Sequence, residues 1–169
     1  MSRSVPMVQP ITTISATPDH ADAIAALWHE SWHDAHAALL PREIVAPRTL
    51  SSFKERLKPL LPHTLVALTN GTIGGFATVL NDELYQFYAG RPARGRGLAG
   101  QLLQKAEQRL SETGVSVGVV HCLAGNARAL QFYERHGWRG TGVTELPIWM
   151  PEGSQAVTVP SCLLKKRLG

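Results

Sequence analysis

The segment RGRGLAGQLLQKAEQRL, Arg94 to Leu110, restricts the fold of this chain more than any other. Two arginines and two glycines, with a third glycine at position 100, lead into Leu98, Leu102, Leu103, Ala106 and Leu110, which share one face at helical spacing. Just before stands ELYQFYAG, Glu83 to Gly90, which reads as a strand. A strand must therefore become a helix through a loop almost without side chains. Helix starts ordinarily take a capping side chain. Glycine offers close approach to the backbone instead. A helix N-terminus presents unpaired N–H groups and the positive end of the dipole, so this turn can cradle a phosphate or pyrophosphate. Arg94 and Arg96 add charge-assisted donors. The same glycines would also suit a tight connection that binds nothing. The segment is no P-loop, because no Gly-Lys-Ser/Thr follows, and it lacks the third glycine of the dinucleotide fingerprint.

The rest of the chain supplies the elements around this turn. ITTISATP, Ile11 to Pro18, is β-branched and reads as a first strand. A helix follows, with Ile24, Leu27, Trp28, Ala35 and Leu39 at helical spacing, Thr17 or Asp19 as cap and Pro41 as stop. A second helix is expected at Leu50–Leu57. Asn70-Gly71 is the favoured two-residue turn of a hairpin. VSVGVVHCLA reads as a strand buried on both faces. Asn126 can cap a helix through His136, and Gly137 can end it in the left-handed conformation. Trp138–Val143 and about Ala156–Lys166 read as two strands around a polar loop. This order predicts a mixed α/β sheet of about seven strands with helices on both faces. Residues 11–169 read as one domain and residues 1–10 as a disordered leader.

Composition removes several classes of function. The chain has 169 residues and a net charge of +4, but its Lys and Arg form no long run. The arginines sit in a turn that the glycines already explain, with no aromatic stacking surface beside them, so no nucleic-acid partner is expected. No apolar run approaches the ~20 residues of a membrane span, so no membrane partner is expected. Two cysteines, Cys122 and Cys162, suggest neither a metal motif nor a disulfide framework, and a reducing cytoplasm is the simplest reading. His29, His33 and His36 fall three or four apart without a His-Glu-x-x-His motif, so no metal is expected.

Two motifs then carry a resemblance. Arg94-x-x-Gly97-x-Ala99 resembles the Arg/Gln-x-x-Gly-x-Gly/Ala signature of the GNAT N-acetyltransferase superfamily. Asn126-x-x-Ala129-x-x-Phe132-Tyr133-Glu134-x-x-Gly137-Trp138 resembles that superfamily's second signature, with Trp138 where Phe is usual. They occur in the expected order with a strand between them. The resemblance covers roughly Ile11 to Arg167. It implies a mostly antiparallel sheet whose splayed strand pair forms a cleft for acetyl-CoA, the cosubstrate.

The resemblance also implies roles. The pyrophosphate would lie on Arg94, Gly95, Arg96, Gly97, Leu98, Ala99 and Gly100, and the pantetheine arm along Phe87, Tyr88 and Ala89. A strand N–H there could polarise the thioester carbonyl. Asn126 would contact CoA, cap its helix, or do both. Tyr133 would protonate the departing thiolate, or else be packing on a helix face. The base that deprotonates the amine would be Glu83 or His121. Glu83 is expected in phase with Tyr85, Phe87 and Ala89; it also suits a solvated turn, as His121 suits a hydrogen-bonded core. Trp32, His33, His36 and the Trp149 of the late loop TELPIWMPEG would line the acceptor pocket. The implied acceptor is a primary amine, on a small molecule or a peptide, and a homodimer is the implied assembly. Cys122 has no lysine beside it and apolar neighbours, which favours a buried structural thiol over an acetyl-cysteine. The rival reading is a module that binds acyl-CoA without turnover.

Overall fold

The computed structural model describes residues 10–169; the leader expected at residues 1–10 therefore falls almost wholly outside the described residues. One seven-stranded sheet runs in the order β1-β2-β3-β4-β5-β7-β6. Its strands are β1 (Ile11–Ser15), β2 (Thr64–Thr69), β3 (Thr72–Leu80), β4 (Glu83–Ala89), β5 (Val117–Leu123), β6 (Arg139–Ile148) and β7 (Val157–Arg167). The helices are α1 (Ala21–His36), α2 (Arg42–Val45), α3 (Leu50–Leu57), α4 (Leu98–Glu112) and α5 (Ala127–Arg135). Neighbouring strands are antiparallel except β4 and β5, which are parallel.

The amphipathic stripes decide which helix covers which face. Leu98, Leu102, Leu103, Ala106 and Leu110 of α4 bury against Leu65, Ala67, Ala77 and Leu84, with Tyr133 and Trp138 in the same cluster. On the other face Ile24, Ala25, Trp28 and Trp32 of α1 pack with Phe53 and Leu57 of α3 over Val66 and Phe76. At the hairpin turn Asn70 and Gly71 both have positive φ, +51° and +72°, as the type I′ geometry needs.

Three boundaries differ from the sequence reading. The first helix stops at His36 and continues only as a 3₁₀ turn over Ala37–Leu39 before Pro41. The short α2 then intervenes, with Ile44 buried. β6 runs on to Ile148, so Glu145 lies in an edge strand rather than in the loop. Its residues are mostly exposed and include Pro147, which removes the apolar alternation that marks an inner strand.

Trp138 is fully buried, and its indole N–H donates to Glu107 at 2.9 Å. Lys166 bonds the same carboxylate at 2.8 Å and the His136 carbonyl at 2.8 Å, tying α4 to β7 and to the end of α5. The larger ring has space because Gly118 faces it: a Cβ there would stand 3.1 Å from the Trp138 ring.

Candidate functional site

The sheet is held together across its middle by very little. β4 and β5 meet at one residue pair, Glu83 with Val119, reinforced by the Val119 N–H donating to the Asp82 carbonyl at 2.9 Å. Beyond that point β4 pairs only with β3 and β5 only with β7, so a gap opens along Tyr85–Ala89. β4 also carries a bulge. Thr78 pairs with Gln86 and Val79 with Leu84, leaving Tyr85 over. The bulge reverses the alternation, which corrects the expected phase of Glu83. Phe87 and Ala89 join Leu84 on the α4/α5 face, whereas Tyr88 packs on the α1/α3 face.

At the open end of the gap stands the glycine turn. Gly95 and Gly97 adopt φ of +76° and +79°, which L side chains rarely take. Gly97 occupies the N-cap position of α4 with no side-chain cap. None of the backbone N–H groups from Gly95 to Gly100 finds a partner among the described residues; the first helical bond is Gln101 N–H to the Gly97 carbonyl. Six donors at the positive end of a 15-residue helix make an anion cradle.

The arginines divide around it. Arg94 bonds Asp34 of α1 at 2.9 Å, Arg91 bonds the same carboxylate, and Arg128 of α5 stands 3.8 Å away. The Arg94 hydrogen bond, then that of Arg91, holds the Asp34 carboxyl below its ordinary range. These residues, with Ala35 and Asn126, line a recess of about 460 Å³. Three guanidiniums against one carboxylate leave it strongly positive. Asn126 also accepts the Ala129 N–H at 3.3 Å, so it caps α5 while lining the recess. Arg96 faces elsewhere, into a groove of about 910 Å³ shared with Glu30, Asn70 and Ile73. Arg128 and Asp34 escaped the sequence reading because nothing near either residue in the chain signals the meeting.

The two walls of the gap carry different chemistry. On the α5 side Tyr133 is buried to 6% exposure, against Phe87 at 6.2 Å and Phe132 at 5.5 Å between ring centroids. Burial raises its phenol well above the ordinary range, with Cys122 and Tyr88 adding to the effect. Tyr133 therefore keeps its proton, and its hydroxyl has no hydrogen-bond partner among the described residues. Burial likewise pushes the Cys122 thiol up to about 12, which leaves it inert as a nucleophile. On the other side the two candidate bases meet: His121 Nδ1 lies 2.9 Å from Glu83 Oε1.

The α1/α3 face beside that pair holds the expected acceptor residues. His36 lies edge-on to Tyr88 at 6.4 Å and beside Trp32 at 5.2 Å. Burial lowers His36 to about 4, with the charge of Arg48 adding to it, so its ring is neutral at neutral pH. Trp32 is 6% exposed, a core residue. His33 turns to His29, its Nδ1–H donating to the His29 carbonyl at 2.7 Å, and does not join the Tyr88 group. Trp149 lies in the segment after β6, over two arginines that the sequence reading missed. Arg48 stands 4.5 Å from the Trp32 ring and 5.2 Å from that of Trp149. Arg56 stands 4.3 Å from Trp149 and 4.8 Å from Trp28.

Neither arginine has a carboxylate within salt-bridge distance among the described residues. Arg48 is 1% exposed; its Nη1 and Nη2 donate to the carbonyls of Ile44 and Trp149, and its Nε has no partner. Arg56 Nη1 is also buried and unpartnered. Burial lowers both guanidiniums to about 10, and for Arg48 the charge of Arg56 is the next cause. A desolvated cation–π contact is worth ~2 kcal/mol, whereas removing an ion from water costs several. The aromatic walls alone leave these charges under-compensated.

Residues 21–138 match the model of the acetyltransferase (GNAT) family. The chain belongs to that family. It is an acetyltransferase. Among solved structures it is similar to a GCN5-related N-acetyltransferase from Rhodopseudomonas palustris, with 21% identity, a TM-score of 0.72, and 99% of this chain and 100% of that one covered. It is also similar to the PaiA N-acetyltransferase from Thermoplasma acidophilum, solved with coenzyme A, at 17% identity and TM-score 0.72 over 94% of this chain and 99% of that one. YncA from Salmonella typhimurium, solved with acetyl-CoA, is similar at 17% identity and TM-score 0.64 over 94% of both chains. At these identities the likeness is one of fold. No match to a curated protein reaches significance. No helix among the described residues is long and apolar enough to cross a membrane.

Proposed function

We propose that this acetyltransferase moves the acetyl group of acetyl-CoA to a primary amine by direct attack within a ternary complex, with residues 11–169 acting as one catalytic unit. One observation carries the reading: the six unpartnered N–H groups of Gly95–Gly100 end a gap in the sheet whose two walls bear an acid and a base. The pyrophosphate occupies the cradle beside Arg94. The pantetheine arm lies along the free edge of β4 at Phe87, Tyr88 and Ala89, which puts the thioester between the walls.

His121 has Nδ1 held by Glu83, so Nε2 is the free basic nitrogen. It takes a proton from the ammonium, directly or through a water. The amine lone pair then forms a C–N bond to the thioester carbonyl carbon, and the carbonyl electrons move to oxygen beside the β4 backbone. When the carbonyl re-forms, the C–S bond breaks and the nitrogen, which still carries two protons, gives one up to solvent. The thiolate takes the proton of Tyr133, whose burial has kept it protonated until then. Solvent returns a proton to Tyr133 and removes the one on His121. Transfer from both faces at once is what the splayed strands permit.

The test is release of CoA thiol from acetyl-CoA across a panel of primary amines, with Tyr133→Phe, His121→Asn and Glu83→Gln beside the wild type. Amine-dependent release cut ~10²-fold by Tyr133→Phe and by His121→Asn is expected of general acid–base catalysis. Full rates in all three variants would overturn these roles. Tight acetyl-CoA binding with no release by any amine would favour a binding module instead.

A further inference from the structure

Two guanidiniums beside the cleft lack the counter-charge that their burial demands. Arg48 and Arg56 approach the same Trp149 ring from α2's end and from α3, and each keeps one buried nitrogen unpartnered. Arg56 acts on Arg48, and the phenols of Tyr88, on both, and of Tyr85, on Arg56, act the opposite way; no carboxylate is among these groups. The other arginine cluster described above, Arg91, Arg94 and Arg128, holds an acid, Asp34. The pair is also close to the reaction: Arg48 touches Trp32, Trp32 touches His36, and His36 touches Tyr88 of β4, on the wall that bears Glu83 and His121. Tyr85, exposed at 42%, and Arg56, part-buried, mark the open side of the cluster.

We propose that the acceptor amine carries a carboxylate, held by Arg56 with the charge of Arg48 behind it, and lays its apolar body against Trp149. The acceptor class is thus a small amino acid with an apolar or aromatic side chain, rather than a plain amine or polyamine. Two like charges beside one ring disfavour a cationic body and favour an oxyanion, which a planar guanidinium binds through two parallel N–H donors. Arg56 is the part-buried member of the pair, and Arg48, 1% exposed, lends its charge from behind. This inference rests on the amine-transfer reading above.

The test compares matched substrates: L-phenylalanine with phenethylamine, L-leucine with isoamylamine, and each amino acid with its amide and with a dipeptide that it begins. Arg56→Gln and Arg56→Lys are the principal variants. Arg48→Gln is secondary, because Arg48 also binds two backbone carbonyls and its loss can unfold the segment. The free acid is expected to exceed its decarboxylated amine at least about tenfold in kcat/KM. Arg56→Gln should remove about 10–100-fold for the acid, mainly through KM, and leave the amine within about threefold, as loss of a charge-assisted hydrogen bond requires. Arg56→Lys should recover part of the loss. A second readout needs no turnover: the acid should quench tryptophan emission saturably in wild type and not in Arg56→Gln.

Equal use of acid and amine, or an equal loss for both in Arg56→Gln, would overturn the proposal while leaving amine transfer intact. Preference for the dipeptide over the free acid would also overturn it. If no amine is acetylated, the transfer reading fails, and the fluorescence titration alone decides: saturable, Arg56-dependent quenching by the acid supports the site, and its absence overturns it.

Discussion

Because His36 sits among rings and next to Arg48, it refuses a proton that it would accept in an unfolded chain. Its value falls from 6.5 to about 4, first through burial. Between those values the unfolded chain binds a proton and the folded one does not, so stability falls as pH drops through that window and is flat above it. The full difference amounts to roughly 3 kcal/mol at most. Urea melts at pH 7, 5.5 and 4.5 should show this loss, and His36→Gln should remove most of the slope; an unchanged slope would assign it to the carboxylates. At this scale the sequence discloses what is encoded locally. Gly95, Gly97, Asn126 and Tyr133 lie within short motifs, and the fold sets them around the gap between β4 and β5. Asp34 and Arg94 stand 60 positions apart, and Arg48 and Trp149 stand 101 apart. No spacing rule brings such pairs together, so the anionic latch and the arginine pair emerge only from the fold.

Among the elements, α4 positions the anion cradle, and two strand glycines let it come close. A Cβ on Gly75 would stand 2.9 Å from the Tyr88 carbonyl and 2.9 Å from Leu98, the first residue of α4. Neither the strand carbonyl nor the buried leucine can retreat without moving the helix. Gly75→Ala should therefore destabilise the protein by about 1–3 kcal/mol, as overpacking does, and weaken acetyl-CoA binding as well. Calorimetric titration beside a thermal melt would check both; lost stability with unchanged affinity would mean that the cradle is indifferent to α4's seating. Helices and hairpin were readable because their periodicity and turn chemistry are strong: α3 begins and ends where its apolar spacing and flanking prolines put it. The bulge at Tyr85 was not readable, since the residues of β4 alternate no differently with or without it. β6 was shortened in the sequence reading because an exposed edge strand resembles a loop.

On the scale of the whole molecule, the one sheet has two halves. β1 to β4 form one, β5, β7 and β6 the other, and a single residue pair joins them beside the Glu83–His121 contact. The backbone groups along the gap wait for a partner that the chain does not provide. Acetyl-CoA can supply it, since the amides of its pantetheine arm can bond both edges. Hydrogen exchange followed by mass spectrometry should show acetyl-CoA slowing exchange in β4 and β5 together, beyond the turn it touches. The 3′,5′-bisphosphate of adenosine, which has no arm, should protect at most the glycine turn. Equal protection by both ligands would mean that the halves are already locked.

On the proposed reading, the splay makes the donor a component of the architecture as well as a reactant. A protein whose two halves are clasped by its own reagent is loosest when that reagent has just departed. Each turnover would then end with a brief relaxation of the frame, and the escape of spent CoA and the slackening of the scaffold would be a single event.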